Sequence, residues 1–274
     1  MTQLIINLYR KLFARKIFLK INKALFHLGL RGMGVLNHEN YEVTGESYFI
    51  KNILTKIVRN DRPVFFDVGA HTGSYSTMLL DSFTNALIYA FEPHPKNFSD
   101  LKDKLTSTRI IAHNIALGNT SGTLPLYDIS DWNGSVFASL HKDVITEICK
   151  RNFVSVEVSM DTLDNFTKKE GITYIDFLKI DTEGSELAVL QGASELLENK
   201  SIGCIHFEFN EMNVISRTFF RDFRKILHNY DLYRLLPKGL LPLDDSTLYT
   251  EIFVYQNIIA LPKFSESARF KDFL

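Results

Sequence analysis

Short apolar runs alternate with amphipathic stretches along most of this 274-residue chain. Val64-Phe65-Phe66 ends at Asp67 and reads as a buried strand. Gly69 and Gly73 follow, and the spacing then predicts a helix over Ser74–Asp81. Ala86–Glu92 is nearly all apolar, as expected of a strand covered on both faces. Pro95 suits a first helical turn, Asn97–Leu105 continues that helix, and Arg109–Ile115 reads as a third strand. This βαβαβ alternation predicts a parallel sheet with right-handed crossovers. Gly122–Tyr127 and Val154–Met160 alternate instead, which predicts an antiparallel insertion near the strand ends. Asp161 opens a short helix, Ile175–Ile180 a fourth strand, and Leu187–Glu198 a helix with leucines on its inner face. Ile202–Phe207 is the fifth strand, followed by a helix near 219–229 and apolar runs at Leu232–Leu236 and Ile252–Leu261.

The ends of the chain differ. In residues 1–31, Phe13, Ile17, Ile21, Ala24 and Leu28 recur at helical spacing. The same stretch holds Arg10, Lys11, Arg15, Lys16, Lys20, Lys23 and Arg31 and no acid, so the net charge of -1 divides into +7 here and -8 in the body. It reads either as a helix packed on the catalytic domain, or covering its site, or as a basic helix on anionic lipid. A second helix is expected through Phe49, Ile50, Ile53, Leu54 and Ile57. The expected organisation is a helical extension over 1–60, one α/β domain over 61–262 and a loose tail over 263–274. The acidic body argues against nucleic acid as a partner. Cys149 and Cys204 lack metal or redox spacing, so two reduced thiols in a cytoplasmic protein are expected. Charges interrupt the one candidate signal sequence, and no apolar run approaches the roughly 20 residues of a membrane span.

Asp67, Glu92, Asp181 and Glu208 all fall at predicted strand ends, where open α/β sheets bind ligands. Glu92 follows Gly69 at the spacing of an acid that binds adenosine ribose. That fits NAD and S-adenosylmethionine alike. Asp67 decides between them, because a carboxylate on this turn repels a pyrophosphate and attracts a sulfonium or ammonium.

The strings Asp67-Val-Gly-Ala-His-Thr-Gly73, Phe91-Glu-Pro-His-Pro95, Asn114-Ile-Ala-Leu-Gly118, Asp161-Thr-Leu-Asp164 and Phe177-Leu-Lys-Ile-Asp-Thr-Glu-Gly-Ser-Glu186 occur in that order. Together they resemble the successive motifs of FkbM-type methyltransferases, from about Gly45 to Pro262. The resemblance implies a class I, Rossmann-like methyltransferase fold with a seven-stranded, mostly parallel sheet and helices on both faces. It implies an S-adenosylmethionine-dependent O-methyltransferase acting on a sugar, polysaccharide or natural-product hydroxyl. Asp67, Gly69, Ala70 and Gly73 would line the methionine end of the cofactor, Glu92 the ribose, and Asn114 to Ala116 the adenine edge. Asp181 and Glu183 would lie beside the transferring methyl. His71 stands where the family more often has asparagine.

Transfer to a hydroxyl also needs a proton acceptor. Asp181 or Glu183 is favoured; Glu186 reads as a surface residue in a first helical turn, and His206 as a satisfied core residue. A buried Lys179 must pair with one of the acids. Asp181 and Glu208 would suit Mg²⁺, but the pair is too generic to assign a metal. Tyr127, Trp132, Asn133 and Phe137 read either as a sugar-stacking wall or as surface packing. Two other readings are a dinucleotide-dependent oxidoreductase, disfavoured by Asp67 and the missing G-x-G-x-x-G, and a non-catalytic scaffold on the same fold.

Overall fold

The computed structural model of the chain describes residues 2–105 and 107–263, so the tail from residue 264 on lies outside the described residues. Eleven strands follow in chain order: β1 (Val64–Val68), β2 (Leu87–Phe91), β3 (Ile110–His113), β4 (Ala116–Leu117), β5 (Gly122–Ile129), β6 (Phe153–Asp161), β7 (Phe177–Ile180), β8 (Ile205–Phe209), β9 (Tyr230–Leu236), β10 (Gly239–Pro242) and β11 (Gln256–Pro262). The main sheet runs β10-β9-β11-β8-β7-β1-β2-β3. From β8 to β3 it is parallel, and β11 lies antiparallel between β8 and β9. The seven expected strands are therefore present, and the hairpin strand β10 adds an eighth at the β9 edge.

Each face of the sheet has its own core. Phe66, Val68, Leu178, Ile180, Ile205 and Phe207 point into one, with Phe166, Leu190 and Phe223 from helices. Phe65, Phe177 and Ile259 point into the other, with Phe49, Ile53, Tyr75 and Leu101. Alternation along each strand produces this division. Because the first contributions from the chain N-terminal to β1 are Phe49, Ile50, Ile53 and Leu54, the segment leading into β1 is built into the domain.

Two elements differ from the sequence reading for identifiable reasons. The helix expected over 187–198 is two, Glu186–Gln191 and Ser194–Glu198. Gly192 lies between them, so close to another chain segment that a Cβ there would stand 1.9 Å from the carbonyl oxygen of Gly118. The third strand stops at His113, because the Asn114 amide donates to the Glu92 and Pro93 carbonyls, at 2.8 and 2.9 Å, and turns the chain away. Ala116–Leu117 then joins β6 in a second sheet, β4-β6-β5. There β5 and β6 pair antiparallel from Gly122↔Met160 to Ile129↔Phe153.

The basic N-terminal stretch forms two helices, Thr2–Phe13 and Leu19–Gly32, joined through a 3-10 turn at Lys16–Phe18. The Asn22 amide donates to the Phe13 carbonyl at 2.9 Å, and the Tyr9 hydroxyl donates to Asn22 Oδ1 at 2.6 Å. This caps the first helix against the second. The expected stripe is not packed on the domain: Ile17, Ile21 and Leu28 are 83%, 55% and 67% exposed.

Candidate active site

Strands β2 and β3 continue away from β1 on one side, and β7 and β8 lie on the other. The sheet order therefore reverses at β1/β7, and a crevice opens beyond those strand ends. Gly69, immediately after β1, comes so near β7 that a Cβ would stand 1.7 Å from the Asp181 carbonyl oxygen. Its φ of +83° is in the left-handed region, so glycine is needed here on two counts. The Gly69 and Ala70 amides both donate to the Phe91 carbonyl at 2.9 Å, folding the loop over the end of β2.

A cleft of about 860 Å³, open mouth included, lies at this point. Its floor is Val68, Gly69 and His71, and one side is Phe91 and Glu92 with Ile115, Ala116 and Leu117. The far end is Asp181, Thr182, Glu183 and Ser185, and the roof is Ser135, Val136, Ala138 and Leu140 from the segment between β5 and β6. The roof is held by Asp128, which accepts from the Gly134 amide at 2.7 Å and from the Ser135 hydroxyl. Asp128 also faces His94 Nε2 at 3.2 Å. The Ser139 hydroxyl donates to the Glu183 carbonyl at 2.7 Å and ties roof to far end.

Of the residues expected from sequence, Gly69, Glu92, Ala116, Asp181 and Glu183 are brought together on the cleft wall. Glu92 Oε2 accepts from the His71 amide at 2.8 Å, and Oε1 from the His94 amide at 2.9 Å. Burial raises its pKa to about 7 in spite of these bonds. Asp67, Ala70, Gly73 and Asn114 stand outside the wall. Gly73 (φ +82°) gives the Ser74–Ser82 helix its entry, and Asn114 anchors the end of β2 as described.

Asp67 is turned to the opposite face of the sheet from Phe66 and Val68, and it is fully buried. Oδ2 accepts from the Ser76 hydroxyl at 2.6 Å, and among the described residues Oδ1 has no partner. Its cross-strand neighbour is Lys179, whose own neighbour on the other side is His206. Lys179 is buried and donates to Asp181 Oδ2 at 2.6 Å. Burial opposes its charge, but Asp181, Asp67, Glu208 and Glu46 outweigh that and hold it firmly protonated. Asp67 thus acts on the cleft through Lys179 and Asp181 and not by direct contact.

The same polar cluster settles other readings. His206 is buried and fully bonded, Nδ1 to the Tyr75 hydroxyl at 3.0 Å and Nε2 to Asn257 Oδ1 at 2.9 Å. Burial and the Lys179 charge lower its pKa to about 4, so it is neutral at pH 7. Glu186 is not the surface residue expected. It is buried, and one oxygen accepts from the Thr182 and Gly184 amides at 3.0 and 3.1 Å, fixing the turn that carries Glu183. Burial and the neighbouring carboxylates Asp181 and Glu186 push the Glu183 pKa well up. Burial, Asp181 and Glu183 do the same for Glu208. Glu183 and His71, both lining the cleft, hold left-handed backbone, with φ of +51° and +48°. Such strain gathers at functional sites. Among the described residues, no three His, Cys, Asp or Glu side chains stand together as metal ligands.

Sequence reasoning missed the roof and Asn97, which also lines the cleft. No motif marks Ser135, Val136 or Ala138, because the β5–β6 insertion brings them over the site. Trp132 is half exposed and packs on Phe137 at 6.4 Å, and neither is in the cleft wall.

The cleft's chemistry suits S-adenosylmethionine. Glu92 offers carboxylate lone pairs for ribose hydroxyls, Phe91 with Ile115–Leu117 offers an apolar slab for a base, and the acidic far end suits a cation. A profile described as "Methyltransferase FkbM domain" matches residues 67–234. The chain belongs to this family. NoeI of Sinorhizobium fredii, a 2-O-methyltransferase, is 21% identical over 196 residues, 68% of this chain and 80% of that protein. Hexuronic acid methyltransferase AglP of Haloferax volcanii is 27% identical over 161 residues, 58% of this chain and 60% of its own length. The solved structure of an FkbM methyltransferase from Methylobacillus flagellatus is similar over 87% of this chain and 60% of that one, with 14% identity and a TM-score of 0.45. The chain therefore spans only about three fifths of some of the proteins it matches. Among its described residues, no helix is long and apolar enough to cross a membrane.

Proposed function

We propose that the chain transfers the methyl group of S-adenosylmethionine to a hydroxyl of a sugar or natural-product acceptor. The observation that carries this is the cleft at the β1/β7 reversal, with Glu92 on one wall and Asp181 and Glu183 at the far end. NoeI, named a 2-O-methyltransferase, supports transfer to oxygen, and AglP, named a hexuronic acid methyltransferase, supports a sugar-type acceptor.

When bound, S-adenosylmethionine supplies a methyl group on a sulfonium that is already a good leaving group. Glu92 would accept from the ribose hydroxyls, its position fixed by the His71 and His94 amides. The apolar side of the cleft would take the adenine. At the far end Asp181 is tied to Lys179, so one of its oxygens is already engaged and it would serve to orient and to neutralise. Among the described residues Glu183 makes no ion pair, and burial with Asp181 and Glu186 raises its proton affinity, so it would be the proton acceptor. The roof excludes water from the reacting groups. The test is incubation with methyl-labelled S-adenosylmethionine and a panel of glycosides, with the product bond assigned by NMR. An O-methyl product supports the proposal; label found only on nitrogen or carbon overturns it.

A further inference from the structure

The two N-terminal helices present an apolar surface that the domain does not cover. Leu4, Ile5 and Leu8 on the first are 75%, 61% and 56% exposed. Leu25, Phe26 and Leu28 on the second are 51%, 63% and 67% exposed. Scattered exposed leucines are ordinary, but this many on two linked helices implies a partner. Charge decides its nature. Seven Lys and Arg residues and no acid accompany this surface, and among the described residues only Arg31 has a carboxylate partner, Glu39 at 2.6 Å. A second copy would bring the same cations into contact with these, whereas an anionic bilayer complements them.

We propose that the pair of helices Thr2–Phe13 and Leu19–Gly32 docks this protein on an anionic lipid surface, lying in the plane of the interface. At 12 and 14 residues, each is shorter than the roughly 20 residues of a membrane span. Apolar side chains enter the acyl boundary while Lys11, Lys16, Lys20 and Lys23 extend to headgroups.

The attachment point gives the docking a consequence. Val35 bridges Gln256, the first residue of β11, which lies opposite Phe209, the last residue of β8. The Leu36 amide donates to the Tyr255 carbonyl at 2.8 Å. Gly34 is pressed against the Leu235 carbonyl, where a Cβ would stand 2.4 Å away. The helices therefore leave the domain from the strand-end side, the side on which the cleft opens. A lipid-docked protein holds that side toward the membrane.

The test is sedimentation of the full chain with vesicles of phosphatidylcholine, with and without phosphatidylglycerol, at low and high salt. Binding should be at least about tenfold tighter to the anionic vesicles and should fall with salt. Lys16→Gln, Lys20→Gln and Lys23→Gln together should weaken it on the order of a hundredfold, and Leu25→Ser with Leu28→Ser by more than about tenfold. Equal binding to both vesicles, or to neither, overturns the proposal. So does a dimer in lipid-free solution that the leucine substitutions abolish, since a second copy would then cover the surface. The lipid and salt dependence of the unsubstituted protein decides the matter even if a variant folds poorly.

Discussion

Replacing Lys179 with methionine tests the electrostatic design beneath the cleft. The substitution keeps the volume and removes one buried cation from among Asp67, Asp181, Glu46 and Glu208. Lys179 is 5% exposed and bonds Asp181 at 2.6 Å, so solvent screens little of the loss. Breaking a buried pair of this kind costs about 3–5 kcal/mol. The penalty should depend on pH. Burial already raises Asp67, Glu208 and Glu46, the last to about 7, and Lys179 opposes that rise in each. Without it their folded pKa values climb further above the unfolded ones. The folded state then binds more protons than the unfolded state, and stability falls as pH rises through that window. Each additional unit is worth about 1.4 kcal/mol. Urea denaturation of both proteins at pH 5 and pH 7 measures it. The variant should lose about 3–5 kcal/mol at pH 7 and about 1–2 kcal/mol less than that at pH 5. An equal loss at both values, or a larger one at pH 5, refutes the reasoning.

Three further outcomes are expected. Gly69→Ala combines left-handed strain with a Cβ forced against the Asp181 carbonyl, so denaturation should show a loss of about 2–5 kcal/mol, and cofactor titration no binding. Asp128→Ala frees the roof, so hydrogen exchange over 130–140 should accelerate on the order of tenfold or more while β1 and β7 keep their protection. Glu183→Gln should lower the methyl-transfer rate on the order of a hundredfold or more while cofactor affinity changes by less than about threefold; an unchanged rate removes Glu183 as the proton acceptor.

Much of the fold is legible because strands covered on both faces are continuous apolar runs separated by amphipathic helices. The same property hides which way a side chain points. In Val64-Phe65-Phe66-Asp67-Val68 both faces are buried, so nothing in the pattern shows that Asp67 faces away from the cleft. Glu92 was readable because its spacing from Gly69 reflects the length of one βαβ step. The roof was not, since it depends on how β5 and β6 fold back over the strand ends. The break at Gly192 needs Gly118, a long-range contact that helical periodicity does not register. Periodicity also shows that residues 1–31 have an apolar stripe, but not that the domain leaves it uncovered.

The central claim is that the cleft holds S-adenosylmethionine through Glu92. Calorimetric titration with S-adenosylhomocysteine, the unreactive product, measures this without any knowledge of the acceptor. One-to-one binding is predicted, weakened by at least about thirtyfold in Glu92→Ala, which would remove the proposed acceptor of the ribose hydroxyls. No binding at millimolar concentration by the unsubstituted protein, or binding that Glu92→Ala leaves intact, contradicts it.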